Sequence, residues 1–160
     1  MQTFHTPLTG IYRQVDRLTV WLWPLLLLAM RLFVAKVFLL SGLTKIQNWD
    51  VTLFLFQEEY HVPVLAPWLA AIMGTAGELG FSVLLILGVF GRFSAFGMLL
   101  VNIMAVLSYQ VVRDDPALLG MHIHWGFMLA VLALTGAGKL SVDGLLLSRW
   151  LPSGGVAVRR

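Results

Sequence analysis

Residues 65–90 read LAPWLAAIMGTAGELGFSVLLILGVF, a run of twenty-six in which Glu78 is the only ionisable side chain. A helix needs about 20 mostly apolar residues to cross the hydrocarbon core of a bilayer. The run is too long for a strand and does not alternate in hydropathy, so it reads as a spanning helix. Three more runs of this kind lie at about 18–43, 93–112 and 118–137. Together they predict an all-α polytopic membrane protein, a bundle of four transmembrane helices within one membrane domain covering 1–160. Trp21, Trp23, Trp49, Trp68, Trp125, Tyr60 and Tyr109 fall near the ends of the runs, as interfacial aromatics do. Gly88 and Gly91 mark one turn, and Asp114, Asp115 and Pro116 another.

Composition agrees. Of 160 residues 59% are hydrophobic and 12% charged, against roughly a quarter charged in a soluble domain. The net charge of +3 does not indicate nucleic acid, because the eleven Lys and Arg lie mostly at helix ends instead of on one wettable face. There is no cysteine, which excludes disulfide exchange and thiolate metal sites built from this chain's own residues. The first run carries Arg31 and Lys36 and is followed by no small-residue cleavage pattern, so it is expected to remain in the mature protein.

Arg13, Arg17, Arg92, Lys139, Arg149, Arg159 and Arg160 fall on the side of the termini, and only Lys45 and Arg113 on the other. The positive-inside bias then puts both termini in the cytoplasm. The far side is acidic, with Asp50, Glu58, Glu59, Asp114 and Asp115. It also holds the longest connection, about 45–64, where Trp49, Val51, Leu53, Phe54 and Phe56 predict a short interfacial helix. A re-entrant continuation of the first helix is the alternative.

Three ionisable residues fall inside the runs: Arg31, Lys36 and Glu78. Charges at membrane depth cost about 2.5 to 3.5 kcal/mol each on insertion scales, so each needs a partner or a role. Arg31 and Glu78 sit near the middle of antiparallel neighbours, which predicts a buried ion pair. Ala71, Gly74, Thr75 and Ser82 share the face of Glu78 and permit close helix approach. Lys36 lies about 140° around the helix from Arg31, leaving one positive charge in surplus. Either Lys36 is neutral, or the cluster takes an anionic or carbonyl-bearing ligand such as a quinone head group, or the first helix is shifted and Lys36 reaches a polar cavity. Lys45 continues the face of Arg31, and Asn102 at mid-span is an interhelical hydrogen-bonding group. His122 and His124, with His61 and the acids Glu58 and Glu59, form a candidate copper or zinc constellation. The spacing argues against it, because residues two apart on a helix point some 200° apart.

Several of these residues occur in a pattern. Arg31, then Ser41-Gly42-Leu43-Thr44-Lys45, Gly77-Glu78-Leu79-Gly80, the turn from Gly88 to Arg92, and Gly138-Lys139-Leu140-Ser141-Val142-Asp143 together resemble the DoxX family. The resemblance spans about 30–143 and implies a four-helix bacterial inner-membrane protein, in a family named for a thiosulfate:quinone oxidoreductase subunit. Lys45 to Trp49 and Gln57 to Tyr60 are similar to a subgroup found beside genes for small copper-binding peptides. The expectation is an accessory subunit of a redox or metal-stress system, with a quinone-like ligand or a membrane or periplasmic protein partner, or a homo-oligomer. A transporter component handling a small solute, metal or peptide, and a structural anchor, are the competing readings.

Overall fold

The structure, a computed structural model, describes residues 7–150, with side chains described over 14–146. Arg159 and Arg160 of the charge count lie outside the described residues, as do the side chains of Arg13 and Arg149. Seven helices follow one another: α1 Pro7–Gln47, α2 Trp49–Glu58, α3 Pro67–Leu87, α4 Gly91–Ser108, α5 Gln110–Asp114, α6 Pro116–Thr135 and α7 Val142–Trp150. Four of them, α1, α3, α4 and α6, are long and apolar enough to cross a membrane. They form a ring in which α1 packs on α3, α3 on α4, α4 on α6, and α6 closes less tightly against α1. Leu27, Val34, Phe38, Leu85, Met98, Leu129 and Leu132 fill the centre. The outer surface is lined with exposed Leu, Ile, Val and Phe. A surface of that kind requires lipid around it. This is an integral membrane protein.

Local chemistry sets the helix ends. Pro67 and Pro116 begin α3 and α6, where the missing N–H costs nothing. The Asp115 carboxylate caps α6 by accepting from the amides of Ala117 and Leu118 at 2.8 and 3.2 Å. Gly88 ends α3 in the left-handed region at φ 69°. The expected helix over 93–112 is divided at Tyr109, whose backbone is extended and bridges Tyr60. The Arg113 guanidinium donates to the Val106 and Leu107 carbonyls that α4 leaves open there. The first loop contains the expected short helix, α2, folded back on α1 and α3: Thr52 donates to the Lys45 carbonyl at 3.0 Å, and Phe56 packs with Ala70 and Ala71.

The register between α1 and α3 governs everything that follows. A Cβ on Gly42 would lie 2.8 Å from the Leu79 side chain and 3.3 Å from Glu78 Cβ, so the helices touch there and only glycine fits. A Cβ on Gly88 would lie 2.7 Å from Arg31 Nη1. Glu78 is thus level with Gly42, and Arg31 with Gly88. The forty-one residues of α1 extend about 60 Å, twice a hydrocarbon core. Leu27 already meets Gly138 of the α6–α7 turn. The part of α1 before it runs past the bundle, with Leu18, Trp21 and Leu22 exposed.

Candidate functional site

Three buried polar centres hold the bundle. The first is at the α2 end. Lys45 stands in the last turn of α1, and helical side chains lean toward the N-terminus, so its ammonium lies back along the helix beside Ser41. Nζ donates to Ser41 Oγ at 2.8 Å and to both Glu78 oxygens at 2.8 Å, while Ser41 donates to Glu78 Oε1 at 3.2 Å. The side chains are 18% and 9% exposed. All three ammonium protons are used and the charges cancel, so the pair locks α1 to α3. Two buried hydroxyls on the same face of α3, Thr75 and Ser82, have no hydrogen-bonding partner among the described residues. Tyr60 stacks edge-on with Phe56 and Tyr109 above this centre, and its hydroxyl is pushed up to about 12, first by burial and then by Tyr109, Glu78 and Glu59.

Arg31 is therefore not the partner of Glu78, contrary to the sequence-based expectation. The eleven residues from Arg31 to Gly42 set the two charges roughly 16 Å apart along the axis. Midpoints of hydropathy runs misplaced the register because α1 continues well beyond its neighbours. Arg31 makes the second centre, at the α7 end, where Nη1 donates to the Ala137 carbonyl at 2.7 Å and Nη2 to Leu140 at 2.8 Å. Beside it the Asp143 carboxylate accepts from the amides of Phe90 and Gly91 at 3.1 and 2.7 Å, and the Asp143 amide donates to Gly88 O at 3.1 Å. Arginine and aspartate thus tie the α6–α7 turn to α1 and to the α3–α4 turn.

Lys36 joins neither centre. It is exposed on the outer face of α1. Its stem leans toward the α7 end, where an ammonium can reach the membrane surface. The expected cavity shared by Arg31, Lys36 and Glu78 does not form.

The third centre pairs Asn102 of α4 with His122 of α6. Asn102 Nδ2 donates to the His122 carbonyl at 3.0 Å, and its Oδ1 lies 2.9 Å from His122 Nδ1. Because the amide nitrogen is committed to a carbonyl, the oxygen faces the ring and must accept, so Nδ1 carries the proton and, in the neutral ring, Nε2 is an acceptor with no hydrogen-bonding partner among the described residues. Trp125 meets the imidazole edge-on at 4.8 Å. Both residues line a groove of ≈ 230 Å³ walled by Leu99, Ile103, Leu119 and Ile123. The other two described histidines are engaged elsewhere: His61 Nδ1 faces the Glu59 carbonyl at 3.1 Å and His124 Nδ1 the Gly120 carbonyl at 2.6 Å. Among the described residues no three His, Asp or Glu gather as a metal site. The expected His61–His122–His124 constellation does not assemble, since His122 and His124 leave α6 on different faces.

Ser41 and Asp143 were legible only as motif letters, although Ser41 and Lys45 have the i,i+4 spacing of facing neighbours. Nothing in the sequence paired Asn102 with His122.

Four apolar spans tied together by buried polar pairs define a polytopic four-helix membrane protein. The family model described as DoxX matches residues 26–111, more than half the length, and the chain belongs to the DoxX family. The match covers α2 to α4 and the Lys45–Glu78 lock, and stops before His122 and Asp143. Neither the curated proteins nor the solved structures give a match to this chain.

Proposed function

We propose that this protein is an accessory membrane subunit of a redox system, set in a bacterial inner membrane with its termini in the cytoplasm, and that it binds the head group of a quinone-like ligand between α4 and α6. The observation that carries the reading is His122, with one tautomer selected by Asn102, on the wall of an apolar groove. The fit is to a single ring: ≈ 230 Å³ is small for a whole ligand, and exposed Ile103, Leu107 and Ile123 leave a tail in the lipid. Such a ligand supplies two-electron, two-proton chemistry when bound. His122 Nε2 accepts a hydrogen bond from a hydroxyl and can take its proton, and Asn102 holds the ring in orientation. The apolar walls keep water from competing. Exposed Trp21, Leu22 and Leu25 on the projecting part of α1 suit a membrane-embedded protein partner. A transporter is less well supported, because α3 runs unbroken through Gly74, Gly77 and Gly80.

Titrating a short-tailed quinol into purified protein tests this. His122→Phe and Asn102→Leu should each weaken binding at least tenfold, while Lys36→Met should not. Equal affinity in wild type and His122→Phe would sink the reading.

A further inference from the structure

A groove of ≈ 990 Å³ lies at the opposite end, between the start of α4 and the α6–α7 turn. Arg92 stands on one wall and Lys139 on another, both exposed, and among the described residues neither has a hydrogen-bonding or ionic partner. The floor is backbone: a Cβ on Gly136 would lie 3.7 Å from the Arg92 side chain, so the guanidinium stem rests on bare glycine. One acid, Asp143, also lines the groove; its carboxylate accepts from the Phe90 and Gly91 amides and stands against two exposed cations. The groove therefore carries a net positive charge. Phe90 at 68%, Phe93 at 63% and Leu146 at 49% exposure surround it with apolar surface.

We infer that this groove is a binding site for one anionic phospholipid, with its phosphate between Arg92 and Lys139 and its acyl chains against Phe93 and Leu146. The depth fits. α3 ends at Leu87, α4 begins at Gly91 and α6 ends at Thr135, so the groove lies where the spans stop and head groups begin. Charge alone would accept any soluble anion. The apolar rim at that depth selects an amphiphile, in the manner of basic pockets between spanning helices that hold lipid head groups. The site lies at the other end of the bundle from His122 and does not rest on the reading of that residue.

Native mass spectrometry of the full chain in neutral detergent, titrated with phosphatidylglycerol, phosphatidylcholine or inorganic phosphate, tests it. Phosphatidylglycerol should bind one per chain and at least tenfold tighter than phosphatidylcholine. Arg92→Gln with Lys139→Gln should abolish that preference, and Arg113→Gln at the far end should leave it intact. Thr135→Trp keeps both cations but crowds the groove, and should also lose the lipid. It decides the matter if the double variant does not fold. Equal binding of the two lipids, wild-type affinity in Thr135→Trp, or displacement of phosphatidylglycerol by equimolar phosphate would overturn the proposal.

Discussion

Lys45 and Glu78 illustrate how a membrane interior handles charge. Each would be costly alone, and together with Ser41 every polar atom of the ammonium is used. Glu78→Gln leaves the cation without its counter-charge and should cost about 3 kcal/mol, the low end for a buried pair because Lys45 keeps 18% exposure. A double-mutant cycle in detergent unfolding should couple Lys45 to Glu78 by more than about 1 kcal/mol, and Arg31 to Glu78 by less than about 0.5. Strong coupling of Arg31 would mean the register is wrong. Ser82 makes the complementary case. Its hydroxyl is fully buried and unpartnered, a situation that costs about 1 to 3 kcal/mol. Ser82→Ala should therefore raise the unfolding temperature, and a fall would mean that the hydroxyl has a partner. At this scale the sequence identified Arg31 and Glu78 as needing partners but not which partners they take, and it placed Lys36 at depth where Lys45 makes the ion pair. The need follows from residue type and hydropathy, whereas the pairing follows from register, which Gly42 and Gly88 set across two helices.

Among the elements, the turns are where distant parts of the chain constrain one another. α3 and α4 meet at Gly88 to Gly91, where Phe90 adopts φ 49°, a conformation that a phenylalanine holds only when its surroundings impose it. Asp143, fifty-three residues away, supplies that constraint by accepting from Phe90 and Gly91 at the amino end of α4. Asp143→Ala removes both hydrogen bonds and a favourable charge from the helix terminus, and should cost about 1 to 2 kcal/mol. Asp143→Asn should recover part of this through its remaining oxygen. Chemical denaturation read by helical circular dichroism measures both, and no loss in Asp143→Ala would dissociate the turn from the cap. The spanning helices and α2 were readable because twenty apolar residues in a row have few other fates. The ends were less so: α1 proved far longer than its apolar core, and α4 stopped at Tyr109, because a backbone bridge to Tyr60 outweighs continued helix.

The whole molecule is polarised. Among the described residues its α7 end carries Arg17, Arg92 and Lys139 against Asp16 and Asp143, with Lys36 leaning the same way, whereas the α2 end carries Asp50, Glu58, Glu59, Asp114 and Asp115 against Lys45 and Arg113. Lys and Arg close to span ends set orientation, and acids contribute little, so the α7 end should face the cytoplasm. This orientation also matters to the two proposed ligand sites. It would put the basic groove in the leaflet that faces the cytoplasm and the His122 groove nearer the opposite surface, where Gly120 and the α5–α6 corner lie. With no native cysteine, single cysteines report orientation cleanly. Gln57→Cys on α2 and Gly120→Cys on α6 should react with an impermeant maleimide added to intact cells. Val142→Cys at the start of α7 should react only after lysis. Replacing Arg92 and Lys139 together by Glu removes two of the charges that retain the α7 end, and should produce a population with the labelling pattern reversed. If Val142→Cys labels from outside in the unaltered background, the orientation is inverted, and the basic groove then faces the outer leaflet.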